Sequence, residues 1–457
     1  MLIKSCANTQ KGAHMKRIII RNNFIAKSLS NTVLYIMVMT GAASAHLSNA
    51  SFHRGGTGNC EGCHMTTSPT LDNNLDSSSS SMNNSFSLKG SDPSSTCLRC
   101  HEAPTADSQP MEYYISTNMA QMGTGVPPKQ LTPGGDFGWL KKNYSWSGNE
   151  RSYGDSHGHN IVASDYGYTA NNRQTIAPGG TYSAEKLSCI SCHDPHGNYR
   201  RTVSGNIDTS GPPISASGSY KSSPDPDPQN SVGTYRMLAG KGYQPKYFSG
   251  GGAFTADPPA AVSPDSYNRE ESVADTRVAY GSGMSEWCAN CHTNIHNDNY
   301  PGKRIHPAGN FAKLTSEVID NYNMYVGSGN LNGNSSTAYS SMVPYEMGTD
   351  DYALLKSTAN NDGSNRSGAS LNKGGPNVMC LTCHRAHASC WDGMSRWNMQ
   401  ADFIVYDGQF PGTDNGSPIM MAQGRTSAEV EKAYYGRPAS SYATYQRSLC
   451  NKCHAKD

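Results

Sequence analysis

Six copies of one five-residue pattern, C-x-x-C-H, dominate what this chain can become. CEGCH runs from Cys60 to His64, CLRCH from Cys97 to His101, and CISCH from Cys189 to His193. CANCH runs from Cys288 to His292, CLTCH from Cys380 to His384, and CNKCH from Cys450 to His454. They consume twelve of the fourteen cysteines, and chance supplies on the order of a hundredth of one such pattern. A zinc site needs two cysteine pairs per ion and gives no reason for histidine to follow each pair at once. Covalent haem uses all five positions. Two thiols separated by two residues reach the vinyl carbons on one porphyrin edge, and the adjacent histidine falls beneath the ring to ligate iron. The patterns predict six covalently bound haem c groups. Their thioethers come from Cys60, Cys63, Cys97, Cys100, Cys189, Cys192, Cys288, Cys291, Cys380, Cys383, Cys450 and Cys453, and their proximal ligands are His64, His101, His193, His292, His384 and His454.

The rest of the composition suits an ordinary core poorly. Hydrophobic residues make up 35% of the 457, with 46 Gly and 25 Pro, which approaches the disordered class. Six apolar macrocycles change that balance, so the expected fold is mostly irregular coil wrapped around a continuous haem stack, with a few short helices and little strand. SAEVEKAYYG (Ser427 to Gly436) reads as a helix with a serine cap and a closing glycine. LTSEVIDNYNMYV (Leu314 to Val326) has apolar residues near helical spacing. The serine-rich stretch 75–95 and the proline-spaced stretch 222–231 read as exposed loops. The segments between patterns are unlike one another, so no simple repeat is expected.

The first fifty residues carry Lys4, Lys11, Lys16, Arg17, Arg21 and Lys27, and no acidic residue precedes Glu61. An apolar run from Thr32 to Gly41 and small residues around Ala45 complete the signature of a secretory signal peptide, residues 1–45, with cleavage after Ala45 or Ala50 and an alternative start at Met15. About ten apolar residues are too few to span a bilayer. Residues 51–457 are read as one hexahaem domain, secreted and without a transmembrane span. Loss of the basic leader takes the formal charge from +1 to −5, and haem propionates lower it further, which excludes nucleic acid as a partner.

The second axial ligand decides between an electron carrier and a catalyst with an open iron. Beyond the six proximal residues the mature chain offers His46, His53, His157, His159, His196, His296, His306 and His387. His387 cannot cross to the far face of the haem held by His384, because three residues extend at most roughly 10 Å around a tethered macrocycle. The same holds for His196 after His193 and His296 after His292. Each pattern of this kind holds one haem while handing an imidazole to a neighbour, which brings porphyrins close enough for electron hopping.

Several stretches resemble a known family: LTPGGDFGWLKKNYSW (Leu131 to Trp146), GHNIVASDY (Gly158 to Tyr166), CISCHDPHGNYRR (Cys189 to Arg201), TRVAYGSGMSEWCANCHTNIHN (Thr276 to Asn297), HPAGN (His306 to Asn310), CLTCHRAHAS (Cys380 to Ser389) and YQRSLCNKCHAKD (Tyr445 to Asp457). They are similar to the hexahaem outer-surface c-type cytochromes that polymerise into extracellular nanowires. The resemblance covers the whole mature chain. It implies bis-histidine haems, little secondary structure, and subunits stacked end to end to exchange electrons with other redox proteins and extracellular acceptors. With it, the six distal candidates become His53, His159, His196, His296, His306 and His387. In that family a histidine three residues after the first pattern ligates the fifth haem of the next subunit; here Thr67 stands there. Cys390 is a lone thiol, free or paired between chains. A multihaem reductase with one open iron and a monomeric periplasmic shuttle are the competing readings.

Overall fold

A computed structural model describes residues 60–65, 87–105, 113–245, 253–264, 278–295, 306–334, 337–339, 343–359 and 376–454; the leader, His46, His53, Thr67 and His296 lie outside them. Among the described residues no helix exceeds nine residues, and none is long and apolar enough to cross a membrane. Coil dominates, as the glycine and proline content requires.

Both expected helices form. Ser316–Met324 starts at Thr315, whose hydroxyl accepts the Val318 amide, and it buries Ile319 and Tyr322. Ser427–Ala433 starts one residue earlier than the serine reading: Thr426 is the cap, with Glu429 returning the bond, and Gly436 follows at φ +71°. Ser427 instead turns its amide and hydroxyl to Asp414. The stretch 222–231 is irregular until Ser231, which opens a strand. That strand, Ser231–Gly233, lies in the largest sheet between Arg200–Arg201 (antiparallel) and Ile214–Ala216 (parallel, with a bulge), and Ile207–Asp208 pairs on the far side of Arg200–Arg201.

The polypeptide has apolar clusters of its own, more than the composition suggested. The largest gathers Trp139, Tyr144, Trp146, Tyr322, Tyr345, Trp391, Trp397 and Val430, and smaller ones form around Val232, Tyr280, Phe137 and Phe254. Aromatic rings supply large buried area per residue, which explains how a chain poor in aliphatics builds them. Cysteines of the patterns sit at their margins: Cys383 and Cys453 on the largest, Cys192 and Cys288 on the Tyr280 cluster, Cys189 on the Phe137 cluster.

Candidate haem-binding sites

Each pattern rides on a single helical turn: Cys60–Cys63, the end of Pro93–His101, Cys189–Ser191, the end of Met284–Cys288, Cys380–Cys383 and Cys450–His454. A turn of helix places residues three apart on one face, so both sulfurs of a pair face the same side. All twelve thiols are free of disulfides, and among the described residues no cluster of three or more His, Cys, Asp or Glu could hold a bare metal ion.

Second bonds orient the imidazoles. His101, His193, His292 and His384 direct Nδ1 at the carbonyls of Tyr113, Arg236, Pro178 and Gly393, at 2.7, 2.8, 2.8 and 2.8 Å. His159 and His306 do the same toward Ala386 and Pro307, at 2.7 and 2.8 Å. A carbonyl only accepts, so Nδ1 carries the proton and Nε2 keeps its lone pair for a metal. Burial holds His101 and His193 below the usual imidazole range, and burial followed by the nearby His292 brings His159 down to about 4. These are neutral rings, the ligating form.

Three pairs of rings lie at one separation, with interplanar angles of 7°, 41° and 71°. His64 and His196 have centres 6.4 Å apart and planes 7° from parallel. His159 and His292 are 6.1 Å apart, as are His306 and His454. Two metal–imidazole bonds of about 2.0–2.1 Å on opposite sides of one ion set ring centres roughly 6 Å apart, so each pair fits the axial ligands of one haem iron. His196 thus meets the proximal histidine two patterns earlier rather than an adjacent one. His387 is half-buried and stacks on Phe137, with ring centres 4.6 Å apart, and is pushed down to about 3 by desolvation first and then by neighbouring His193.

His157 is the surplus imidazole. Its Nδ1 donates to the Trp139 carbonyl at 2.9 Å and its Nε2 meets the Ser152 hydroxyl at 2.8 Å, so neither nitrogen is left for a metal. Its neighbour His159 is the one that is presented, because the segment Gly158–His159 pairs with His387–Ala388. His53 and His296 lie outside the described residues. Cys390 is fully buried, which removes pairing between chains; its carbonyl accepts from the Arg425 guanidinium at 3.0 and 2.7 Å.

Consecutive patterns are neighbours in space. The thiols of Cys97 and Cys189 hydrogen-bond, as do those of Cys288 and Cys380. Burial first, and then an adjacent thiol, raises three more: Cys63 beside Cys100, Cys192 beside Cys291, and Cys383 beside Cys450. These thiols stand in for thioethers, so their proximity matters here and their acidity does not. The six patterns form one series in chain order.

A repeat unread in the sequence joins the second and third patterns in the same way as the fourth and fifth. The Cys189 amide donates to Ser94 at 3.1 Å, and the Cys380 amide to Ser285 at 3.0 Å. Ser191 accepts the Ser188 amide, and Thr382 that of Met379. The carbonyls that receive His193 and His384 belong to left-handed turns, Arg236–Met237 (φ 51° and 55°) and Gly393–Met394 (φ 65° and 49°). The signal lay within the patterns: a serine three residues before the first cysteine at Ser94 and Ser285, then C-x-[ST]-C-H-x-x-H from Cys189 and from Cys380. Comparing only the long intervening segments missed it.

No protein-family model matches the chain. It is 50% identical over 434 residues to C-type cytochrome OmcS of Geobacter sulfurreducens, covering 91% of this chain and 98% of that protein. Among solved structures it resembles the cryo-EM structure of the OmcS nanowires from Geobacter sulfurreducens, with a TM-score of 0.77 and 49% identity over 89% of this chain and all of that one. The outer membrane cytochrome S filament of the same organism matches with a TM-score of 0.78, at the same identity and coverage.

Proposed function

The chain belongs to the OmcS family of c-type cytochromes, and from that premise we propose that it is an extracellular electron conduit of six bis-histidine haems that polymerises end to end into a filament. The observation that carries this reading is the set of three histidine pairs 6.1–6.4 Å apart. Bound haem c supplies a one-electron iron couple. The chain supplies the rest. Twelve cysteines tether the groups, and backbone carbonyls fix the ring orientation and tautomer of four proximal histidines, His101, His193, His292 and His384. With an imidazole from the chain available on each side, the bound haems would offer no position for a substrate, so the protein would carry electrons rather than transform a molecule.

Supported by the ring pairs, our reading gives His196 to the first haem, His159 to the fourth and His306 to the sixth. Because His196 follows the third pattern and serves the first, we extend that offset: His296, after the fourth pattern, serves His101, and His387, after the fifth, serves His193. The fifth haem, on His384, then takes its distal ligand from the next copy, and His53 supplies it. Residues 1–45 direct export, leaving one domain from 51 onward. Mass spectrometry of the mature chain tests the count, with six haems expected. Electron microscopy of the secreted, haem-staining fraction tests assembly, and only dispersed single particles there would overturn the filament.

A further inference from the structure

Glu346 is fully buried by the polypeptide alone and belongs to no ion pair among the described residues. One oxygen, Oε1, accepts the amides of Met284 at 2.8 Å and Ser285 at 3.3 Å, the first two of the helix that carries Cys288. The hydroxyl of that same Ser285 receives the amide of Cys380. One carboxyl thus sits at the joint between the fourth and fifth patterns. Its other oxygen, Oε2, is buried without a donor in hydrogen-bond geometry; the Asn377 side chain lies close enough to favour the charged form, and its Oδ1 is likewise unmatched. A proton on Oε2 gives both oxygens a partner. Around it stand Glu286 on the helix, which is half-buried, and Tyr280 on the bridged strand, which is buried. Lys313, on the segment paired with Asn377, is exposed to solvent.

The repeat provides the contrast. At the equivalent joint Asp92 caps Pro93–His101, and its carboxylate accepts Ser95 N, Ser95 Oγ, Ser164 N and Ser164 Oγ at 2.7, 2.8, 2.7 and 2.5 Å. Burial alone raises Asp92, but those bonds outweigh it and hold the group below the usual carboxylate range. Glu346 has two amides and the neighbouring Asn377 side chain instead of four donors, and burial, with Glu286 adding like charge, outweighs them and pushes it up to about 7. One joint holds a fixed negative charge and the other a group poised between its two forms.

We propose that Glu346 is a redox-linked proton site: an electron entering the fourth or fifth haem draws one proton from solvent onto its carboxylate, and the proton leaves when the electron moves on. This rests on the haem assignment above. The balance is one ferric iron becoming ferrous and one carboxylate becoming a carboxylic acid, with no other bond changed. The electron comes from the upstream redox partner, or from dithionite in the laboratory.

The test uses mature, haem-loaded protein and Glu346→Gln, which keeps the amide acceptor and imitates the protonated form. Optical redox titrations between about pH 5 and about pH 9 should show part of the wild-type curve moving to lower potential as pH rises through neutrality, and that part should stand still in the variant. A tenfold difference in proton affinity between redox states corresponds to about 59 mV of that movement. Reduced-minus-oxidised infrared spectra should gain a protonated-carboxyl band that shifts in heavy water, is absent in Glu346→Gln and persists in Asp92→Asn. The wild-type infrared measurement needs no variant, so misfolding of Glu346→Gln does not shield the idea. A pH-independent wild-type curve, or an unchanged slope and band in Glu346→Gln, overturns it. A haem count below six would instead overturn the assignment on which it rests.

Discussion

The backbone amide of Cys380 donates to the Ser285 hydroxyl at 3.0 Å, a bond that fastens the fifth haem pattern to the helix of the fourth. Its counterpart, Cys189 to Ser94 at 3.1 Å, fastens the third to the second. These bonds hold neighbouring attachment turns in one register. Within a filament-type cytochrome that register sets the spacing an electron must cross.

Replacing Ser285 with alanine therefore removes the acceptor of the half-buried Cys380 amide. We expect all six haems to attach and stability to fall by about 1–3 kcal/mol, read by denaturant unfolding followed through the haem absorbance. Ser94→Ala should do the same at the other joint. If both variants unfold at the wild-type midpoint, the joints do not depend on these hydroxyls.

How much of this was legible beforehand depends on where each signal lay. The haem patterns were complete in the sequence because each is local: five residues contain the whole chemical requirement. The helix at Ser316–Met324 was legible for the same reason. The cap at Ser427–Ala433 was misplaced by one residue because Thr426 and Ser427 both carry hydroxyls, and only Glu429 returning its bond to Thr426 decides between them. His157 could not be separated from His159 by type. What separates them is Ser152, which closes Nε2 of the first, and the pairing of the second against the segment after His384. The aromatic clusters were hidden because Tyr and Trp arrive from stretches as distant as Trp139 and Val430, and no periodicity links them.

The two kinds of histidine should separate cleanly on mutation. His306→Ala removes the ring opposite His454, and we expect one haem to become high-spin and to bind carbon monoxide when reduced. His157→Ala removes two buried hydrogen bonds and should lower stability by about 1–3 kcal/mol while every haem stays low-spin. Electron paramagnetic resonance of the oxidised proteins checks both. A high-spin signal in His157→Ala would return that residue to the ligand set.

Cys390 offers a test of burial that the haems make simple, since thioether formation consumes every other thiol of the mature chain. Burial first pushes its thiol up to about 12, so it should be inert in the native state. A maleimide should label the mature protein only after denaturation, at one equivalent, and non-reducing gels should show no linked dimer. Arg425→Met, which removes both guanidinium bonds to the Cys390 carbonyl and the stacking on Tyr144 and Trp391, should let native labelling begin. Fast labelling of the unmutated native protein would contradict the packing.

His384 has its Nδ1 fixed by the Gly393 carbonyl, and on the assignment proposed above the fifth haem is the one that takes its distal ligand from another copy. The resemblance implies a ligand at the position of Thr67, and a hydroxyl is a poor ligand for haem iron. His53 lies on the same side of the chain, seven residues before Cys60, in an FHRGGTG run whose glycines let it extend over roughly 20 Å. Coordination by His53 would make each added subunit close an iron as well as bury a surface, so assembly and spin state should change together. In His53→Ala we expect short or absent filaments and one high-spin haem per chain, with the other five unchanged. Added imidazole should restore the low-spin spectrum without restoring filaments, because it fills the coordination position but links nothing. Long filaments with six low-spin haems in His53→Ala would show that the fifth haem takes its ligand elsewhere.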